Sequence, residues 1–435
     1  MATTSPPTNG NPANAPATPV PKPTQPLPEE LGAPLEDSLD HIVSNSKPVK
    51  GSHKDQLAPS VIREDAVHSH GAAAKKWVSK FFPSEETLDH LFAAQHMGNY
   101  VIDRVSGKKI FETMPIYVRI GMHLLFVSGN SYMSYKSVEK LLQDKSIKQG
   151  KTYDQTGPDV REHIEAFIAT YDLPLNELLV QNLDQYPTFN SFFSRRLVPT
   201  ARPITAPHDP TIVISPADCR VTVYETVDLA KQFWIKGKQF DIPSLLLGDE
   251  AEQTNGKVGS EESTDGGVGE LVSDNKASLI ISRLAPADYH RFHSPVEGTI
   301  VGIKDIEGEL YTVNPQAINE DLNVFTLNKR SVLIINANLG PGRETVPVAF
   351  VAIGAMLVGS IGWSKTPGQK VAKGEELGWF QYGGSTTICV LPSRAGLEFD
   401  ADLKENSLKQ METLVQVGME VGKVRPIVPT GAAKV

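Results

Sequence analysis

Two periodicities divide the chain. In "PDVREHIEAFIATY" the apolar residues Val160, Ile164, Phe167, Ile168 and Tyr171 fall three and four apart behind Pro158, the spacing of one helical face. A second stretch, "FFPSEETLDHLFAAQHM", offers Ser84 as N-cap, Glu85 and Glu86 in the first turn, and Leu88, Phe92 and His96 at steps of four. Beyond residue 210 the pattern turns to alternation or short apolar runs, "TIVIS", "RVTVYET", "SLIISRL", "GTIVGI", "SVLIINA" and "VAFVAIGAMLVGSI", divided by Gly, Pro and Asn. The pattern predicts an α+β protein, with a mainly helical region over residues 76–205 packed on a β-rich domain over 206–435.

Two segments carry no such pattern. Residues 1–75 are rich in Pro, Ala, Thr and Ser and cannot bury enough surface to offset the entropy of ordering, so a disordered tail is expected. Residues 248–278 are polar, mostly acidic and Gly-rich, and are expected to form a flexible surface insertion in the β-rich domain.

Charge and composition then exclude function classes. With 42 basic against 51 acidic residues the net charge is −9, which speaks against a nucleic-acid partner and confines any membrane contact to a local patch. The two cysteines, Cys219 and Cys389, are too few for a disulfide framework and lack metal-type spacing, so no metal site is expected. No apolar run approaches the roughly 20 residues that span a bilayer. The opening residues lack an apolar signal core, and the first arginine is Arg63, so neither a secretory nor a mitochondrial address is expected. Neither a P-loop nor a dinucleotide-binding glycine motif occurs.

Three stretches can carry chemistry. "APADYHRFHSPVEGT" places His290 and His293 three apart beside Asp288 and Arg291. It lacks the glutamate of the zinc-protease motif, and Pro286, Pro295 and Gly298 oppose a helix; two imidazoles satisfying backbone groups are the plain alternative. In "ISPADCRVTV", Asp218 heads a strand-like run, where a carboxylate caps a turn or orients a base. "QYGGSTTICVL" reads either as a Gly-Gly turn entering a core strand or as a Gly384–Ser385 bond prepared to break, because a glycine carbonyl is open to attack by the next hydroxyl. Asp218, His293 and Ser385 also suit a hydrolytic triad, but the G-x-S-x-G elbow is absent, since Thr386 and Thr387 follow Ser385.

Together with "FNSFFSRRLVPTARPI" (189–204), "YTVNP" (311–315) and "IGAMLVGSI" (353–361), the blocks "SPADCR", "DYHRFHSPVEGT" and "FQYGGST" resemble the phosphatidylserine decarboxylase family of pyruvoyl enzymes, in the family's order and over most of residues 110–425. The resemblance implies a proenzyme cut between Gly384 and Ser385, with Ser385 becoming a pyruvoyl group and the two fragments staying together as a non-covalent complex, a homodimer being among the assemblies allowed. It also implies that His293 is the base for self-cleavage, that Asp218 holds its ring, and that His290 returns a proton during decarboxylation. The implied reaction converts phosphatidylserine to phosphatidylethanolamine and CO₂; some relatives instead decarboxylate soluble aromatic amino acids. Alternatives of other classes are an uncut lipid-binding relative and a serine hydrolase.

A lipid substrate requires a peripheral membrane contact, for which Ile116, Ile120, Leu124 and Val127 of residues 114–129 line one candidate helical face. Arg195, Arg196 and Arg202 suit either a lipid headgroup or a salt-bridged surface. The implied location is the cytoplasmic face of a Golgi, vacuolar or endosomal membrane rather than the mitochondrion.

Overall fold

The computed structural model describes residues 98–113, 151, 153–235, 240–253, 267–309, 324–354, 360–382 and 385–425. The expected tail over 1–75 and the expected membrane-facing segment over 114–129 lie outside the described residues, as do Gly383 and Gly384.

The first described element was not anticipated. β1 (Gly98–Asp103) and β2 (Lys109–Thr113) form an antiparallel hairpin inside the region read as mainly helical. The expected helices follow. α1 (Asp159–Tyr171) carries Asp159 and Glu162 in its first turn and ends at Asp172, which takes a left-handed φ of 50°. α2 (Phe189–Phe193) opens with a capping box in which the Thr188 side chain accepts from the Ser191 N–H and Ser191 reciprocates.

The β-rich part contributes β3 (Ile212–Ile214), β4 (Cys219–Tyr224), β5 (Ser278–Leu284), β6 (Arg291–His293), β7 (Glu297–Ile306), β8 (Arg330–Asn338) and β9 (Val346–Gly354). It continues with β10 (Ile361–Trp363), β11 (Lys370–Val371), β12 (Glu376–Phe380), β13 (Ser385–Leu391), β14 (Leu397–Phe399), β15 (Glu412–Val415) and β16 (Glu420–Val424). Its helices are α3 (Val227–Phe233), α4 (Ile242–Leu247), α5 (Glu250–Gln253), α6 (Val268–Ser273), α7 (Val324–Leu327) and α8 (Ala401–Leu408). The fold is α+β, as the two periodicities predict.

Ten strands form one sheet in the order β11-β7-β8-β9-β13-β5-β4-β15-β1-β2, and the β1–β15 pair is its parallel junction. Both faces of its central strands are covered. One bears Val221, Val223, Ile280, Phe292, Phe350 and Phe380; the other packs Tyr224, Ile281 and Val390 against Phe240, Leu245 and Phe325. A strand covered on both sides reads as a continuous apolar run rather than an alternation, which is why "VPVAFVAIG" of β9 is buried throughout. Arg330 ties this layer together from within: its guanidinium donates to the carbonyls of Ser244 (2.5 Å), Leu245 (2.8 Å), Thr326 (2.7 Å) and Asn328 (2.9 Å).

The expected surface insertion is narrower than residues 248–278. Leu271, Val272 and Ala277 are buried in the core, and Pro347 occupies the space beside Gly267, so the packed chain resumes well before β5; residues 254–266 lie outside the described residues.

A third cluster, Tyr153, Phe167, Phe189, Phe192, Phe193 and Tyr382, joins the helical region to the segment just ahead of β13. A smaller sheet, β10-β12-β6, lies alongside and sets the position of "RFH". Its tightest point is Gly378, where a Cβ would meet the Gly362 carbonyl and the Phe292 ring. Gly378→Ala is therefore expected to cost about 1–3 kcal/mol through overpacking, read as a lower denaturation midpoint at an unchanged m-value.

Candidate active site

Ser385 is the first residue of β13, paired with Leu284 of β5 on one side and Gly354 of β9 on the other. It is wholly buried. The hydroxyls of the next two residues, Thr386 and Thr387, are buried without a hydrogen-bond partner among the described residues, a cost of about 1–3 kcal/mol for each such group. The strand end is thus polar, buried and paired on both sides.

The imidazole that meets Ser385 is that of His290, whose Nδ1 lies 3.4 Å from the serine Oγ. Its other nitrogen, Nε2, is 3.0 Å from the Ala285 carbonyl. A carbonyl only accepts, so Nε2 carries the proton and Nδ1 presents a lone pair to the hydroxyl. Phe193 of α2 stacks on the ring at a centroid distance of 4.0 Å. Burial, and next the nearby Arg195 charge, push the imidazole down to about 3, so it is neutral at physiological pH.

His293 has different partners. Its Nδ1 donates to the Gly374 carbonyl at 2.8 Å, which leaves Nε2 to accept from the Tyr289 hydroxyl at 3.2 Å. Burial lowers its basicity as well, but the Gly374 bond and the carboxylates of Glu376 and Asp218 oppose the shift. The two histidines diverge because residues three apart on extended backbone face opposite sides.

The resemblance implies that Asp218 holds the His293 ring; among the described residues this bond is not formed. Arg202 has captured the carboxylate instead. Its Nε donates to both Asp218 oxygens at 2.9 Å and its Nη2 to one of them at 2.6 Å, while Nη1 reaches Glu177 at 3.0 Å. The Val417 N–H adds a further donor to Asp218 at 2.9 Å. A forked, charge-assisted contact outcompetes a neutral imidazole, which is the physical reason for the difference. Burial works against the Arg202 charge, yet the bonds and charge of Asp218 more than offset it and raise the guanidinium above its ordinary value.

Ser385 and His290 therefore come together, whereas His293 and Asp218 are held on separate anchors. Sequence reasoning missed two contributors, Phe193 and Tyr289, which sit inside the stretches "SFFSRR" and "DYHRFH"; no spacing rule reveals a stacking partner or a hydroxyl ligand. Arg202 takes the salt-bridged alternative of its two readings, with Asp218 and Glu177 as partners that residue order does not name. Cys219, next to Asp218, is buried and its thiol is pushed up to about 12 by desolvation, which makes it inert packing. Among the described residues no group of three or more His, Cys, Asp or Glu could hold a metal ion.

Comparison with known proteins decides the family. The phosphatidylserine decarboxylase profile matches residues 189–423, from α2 to the last strand. The chain belongs to the phosphatidylserine decarboxylase family. It is 40% identical over 81% of its length to phosphatidylserine decarboxylase proenzyme 2 of Komagataella phaffii, covering 32% of that protein. With proenzyme 2 of Oryza sativa subsp. japonica it shares 40% over 78% of its length and 49% of the relative. The proenzyme of Chlamydia pneumoniae is 33% identical over 74% of this chain and 96% of its own. The chain thus spans about a third to a half of the fungal and plant family members and nearly all of the bacterial one.

The buried neutral histidine has a measurable consequence in this family member. Its folded proton affinity lies below the unfolded value near 6.5, so the unfolded state binds the extra proton and stability is lost as pH falls from about 6.5 towards 3. In the Ser385→Ala chain, which has no serine to cut itself with, His290→Asn is expected to flatten that loss, by up to about 1.4 kcal/mol for each pH unit, in denaturant titrations run between pH 7 and 4.5. Identical slopes for the two proteins would contradict a neutral buried His290.

Proposed function

We propose that this chain cleaves itself between Gly384 and Ser385 and then decarboxylates phosphatidylserine to phosphatidylethanolamine. The observation that carries the reading is the wholly buried Ser385, aimed at the lone pair of an imidazole, at the head of a core strand in a chain of this family. The relatives' name, phosphatidylserine decarboxylase proenzyme, supports both the substrate and the processing. A hydrolase gains no support, because Ser385 sits in a paired strand and not on a strand-to-helix elbow.

Self-cleavage uses the chain's own atoms. Ser385 Oγ attacks the Gly384 carbonyl carbon, and the C–N bond gives way to an ester. Loss of the Ser385 Cα proton expels the Gly384 carboxylate and leaves dehydroalanine, which one water converts to a ketone and ammonia. His290 is a poor base for the first step, because burial beside Arg195 keeps its proton affinity low. His293, whose proton affinity is favoured by the Gly374 bond and the nearby Glu376 and Asp218 carboxylates, is the base that the family resemblance implies; to take the serine proton its ring must leave Tyr289 and turn towards Ser385.

Position 385 fits a pyruvoyl group. Pairing to Leu284 and Gly354 would hold its main chain, and His290 would lie beside its side-chain carbon. Such a group supplies a ketone that takes up a primary amine and draws electrons as CO₂ leaves. His290, already against that side chain, is then the residue placed to hand a proton to the reacting carbon, while Phe193 shields its ring from water.

A phospholipid substrate calls for peripheral contact with a bilayer. No helix of the described residues is long and apolar enough to cross a membrane. A cytoplasmic endomembrane face, a two-chain complex after the cut and a homodimer complete the proposal.

Denaturing gels and intact mass test it. Wild type is expected to give a fragment of residues 385–435 bearing a ketone, and Ser385→Ala a single chain. His293→Ala is expected to stay uncut, and His290→Ala to be cut yet release CO₂ about 10²- to 10⁴-fold more slowly. The reverse pattern moves the base from His293 to His290, and an uncut wild type refutes self-processing.

A further inference from the structure

The three arginines of residues 195–202 have separate fates. Arg202 is spent on Asp218 and Glu177, and the exposed Arg196 stands 3.7 Å from Glu376. Arg195 is 5% exposed and has no carboxylate at ion-pair distance among the described residues. Its bonds are three long ones, from Nη1 to the Phe193 carbonyl at 3.4 Å and from Nη2 to those of Ala287 and Asp288 at 3.2 Å each. A guanidinium has five N–H donors, so Nε and one N–H of Nη1 have no described acceptor.

The other arginines near it are not like this. The buried Arg220 is paired with Asp288, and the half-buried Arg283 and Arg291 are paired with Glu412 and Glu376. Arg330 also lacks a bonded carboxylate, but its four carbonyl bonds are all between 2.5 and 2.9 Å. The Asp218 and Asp288 charges favour the guanidinium from a distance and the Phe192 ring lies 5.5 Å from it, but no anion bonds to it directly, and a buried cation left in that state is stabilised by a ligand that brings one.

Its place in the fold indicates what that is. Ala287 and Asp288, which Arg195 touches, belong to the loop that carries both His290 and the Ala285 carbonyl fixing the His290 tautomer. Phe193, two residues before Arg195, stacks on the His290 ring. The guanidinium therefore lies against the same short loop as the imidazole on Ser385. An aminophospholipid headgroup of the serine type brings two anions here, a carboxylate and a phosphodiester. The carboxylate must shed its charge as CO₂ leaves, so a cation gripping it would stabilise the ground state over the transition state. The phosphodiester keeps its charge throughout, and binding it lowers KM without that penalty.

We infer that Arg195 binds the phosphodiester of the substrate headgroup and so holds the amine at residue 385. This rests on the decarboxylase reading for the substrate's identity, though not for the anion site itself.

The test titrates the purified full chain, as processed by the cell, with short-chain phosphatidylethanolamine, which has the phosphodiester and amine but no carboxylate. Calorimetry gives the affinity, and CO₂ release from phosphatidylserine gives KM and kcat. Arg195→Gln is expected to weaken phosphatidylethanolamine binding about 10- to 100-fold and to raise KM by a similar factor, most of the loss appearing in KM. Arg195→Lys, which keeps the charge but not the fork, is expected to fall between the two at an unchanged melting temperature, and it carries the test should the glutamine variant not fold. A raised KM with unchanged phosphatidylethanolamine affinity would assign Arg195 to the carboxylate and overturn the inference. Unchanged values for both would make it a strut for the 285–288 loop. Arg195-dependent binding in a wild type that releases no CO₂ would leave the anion site standing and remove the decarboxylase reading instead.

Discussion

The double pairing of β13 is what the site depends on. A strand hydrogen-bonded on both sides, with Ser385↔Leu284 and Ser385↔Gly354 as its first rungs, cannot shift by one residue without turning every side chain to the other face. That register aims the serine hydroxyl at His290 and sends Ile388 and Val390 into one apolar layer and Cys389 and Leu391 into the other. The polar start of the strand, with its two unpartnered threonine hydroxyls, is tolerable because the remainder is so fully packed.

Around this strand the charges are sorted by distance. Arg202, Asp218 and Glu177 form a closed unit, and Arg291 and Glu376 another, at 2.7 Å. Beside them are two imidazoles with different anchors and one guanidinium with weak ones. The result is a buried site in which the hydrogen-bond direction at each histidine is dictated by a backbone carbonyl, Ala285 for one and Gly374 for the other. Carbonyls do not titrate, so while each ring is neutral its tautomer does not depend on the charge state of a partner.

Much of this was legible before the structure. The runs that became β4, β5, β8 and β9 announce themselves because β-branched residues between Gly, Pro and Asn have little else to form, and the α1 stripe is helical by spacing alone. The hairpin of β1 and β2 was hidden because its strands are five and six residues long and owe their stability to β15, more than 300 residues away in sequence. The 248–278 stretch read as an insertion because Leu271, Val272 and Ala277 are too sparse to show a period, although each is buried. Ser385, His290, His293 and Asp218 were visible as a set through their motif blocks, while their partners were not: whether Asp218 meets an imidazole or a guanidinium is a contest of bond strengths that residue order does not record.

The sheet order has a consequence for the life of the molecule. β13 and β15 are each flanked on both sides by strands that precede residue 385, and β16 lies beside β3. A chain severed ahead of Ser385 would be two polypeptides woven through one another, held by the full ladder of the parent. Folding before scission is a single-chain event; reassembly after unfolding would be a second-order encounter between fragments that never folded apart. Processing would therefore act as a ratchet, converting a reversible fold into one preserved chiefly by its slowness to open.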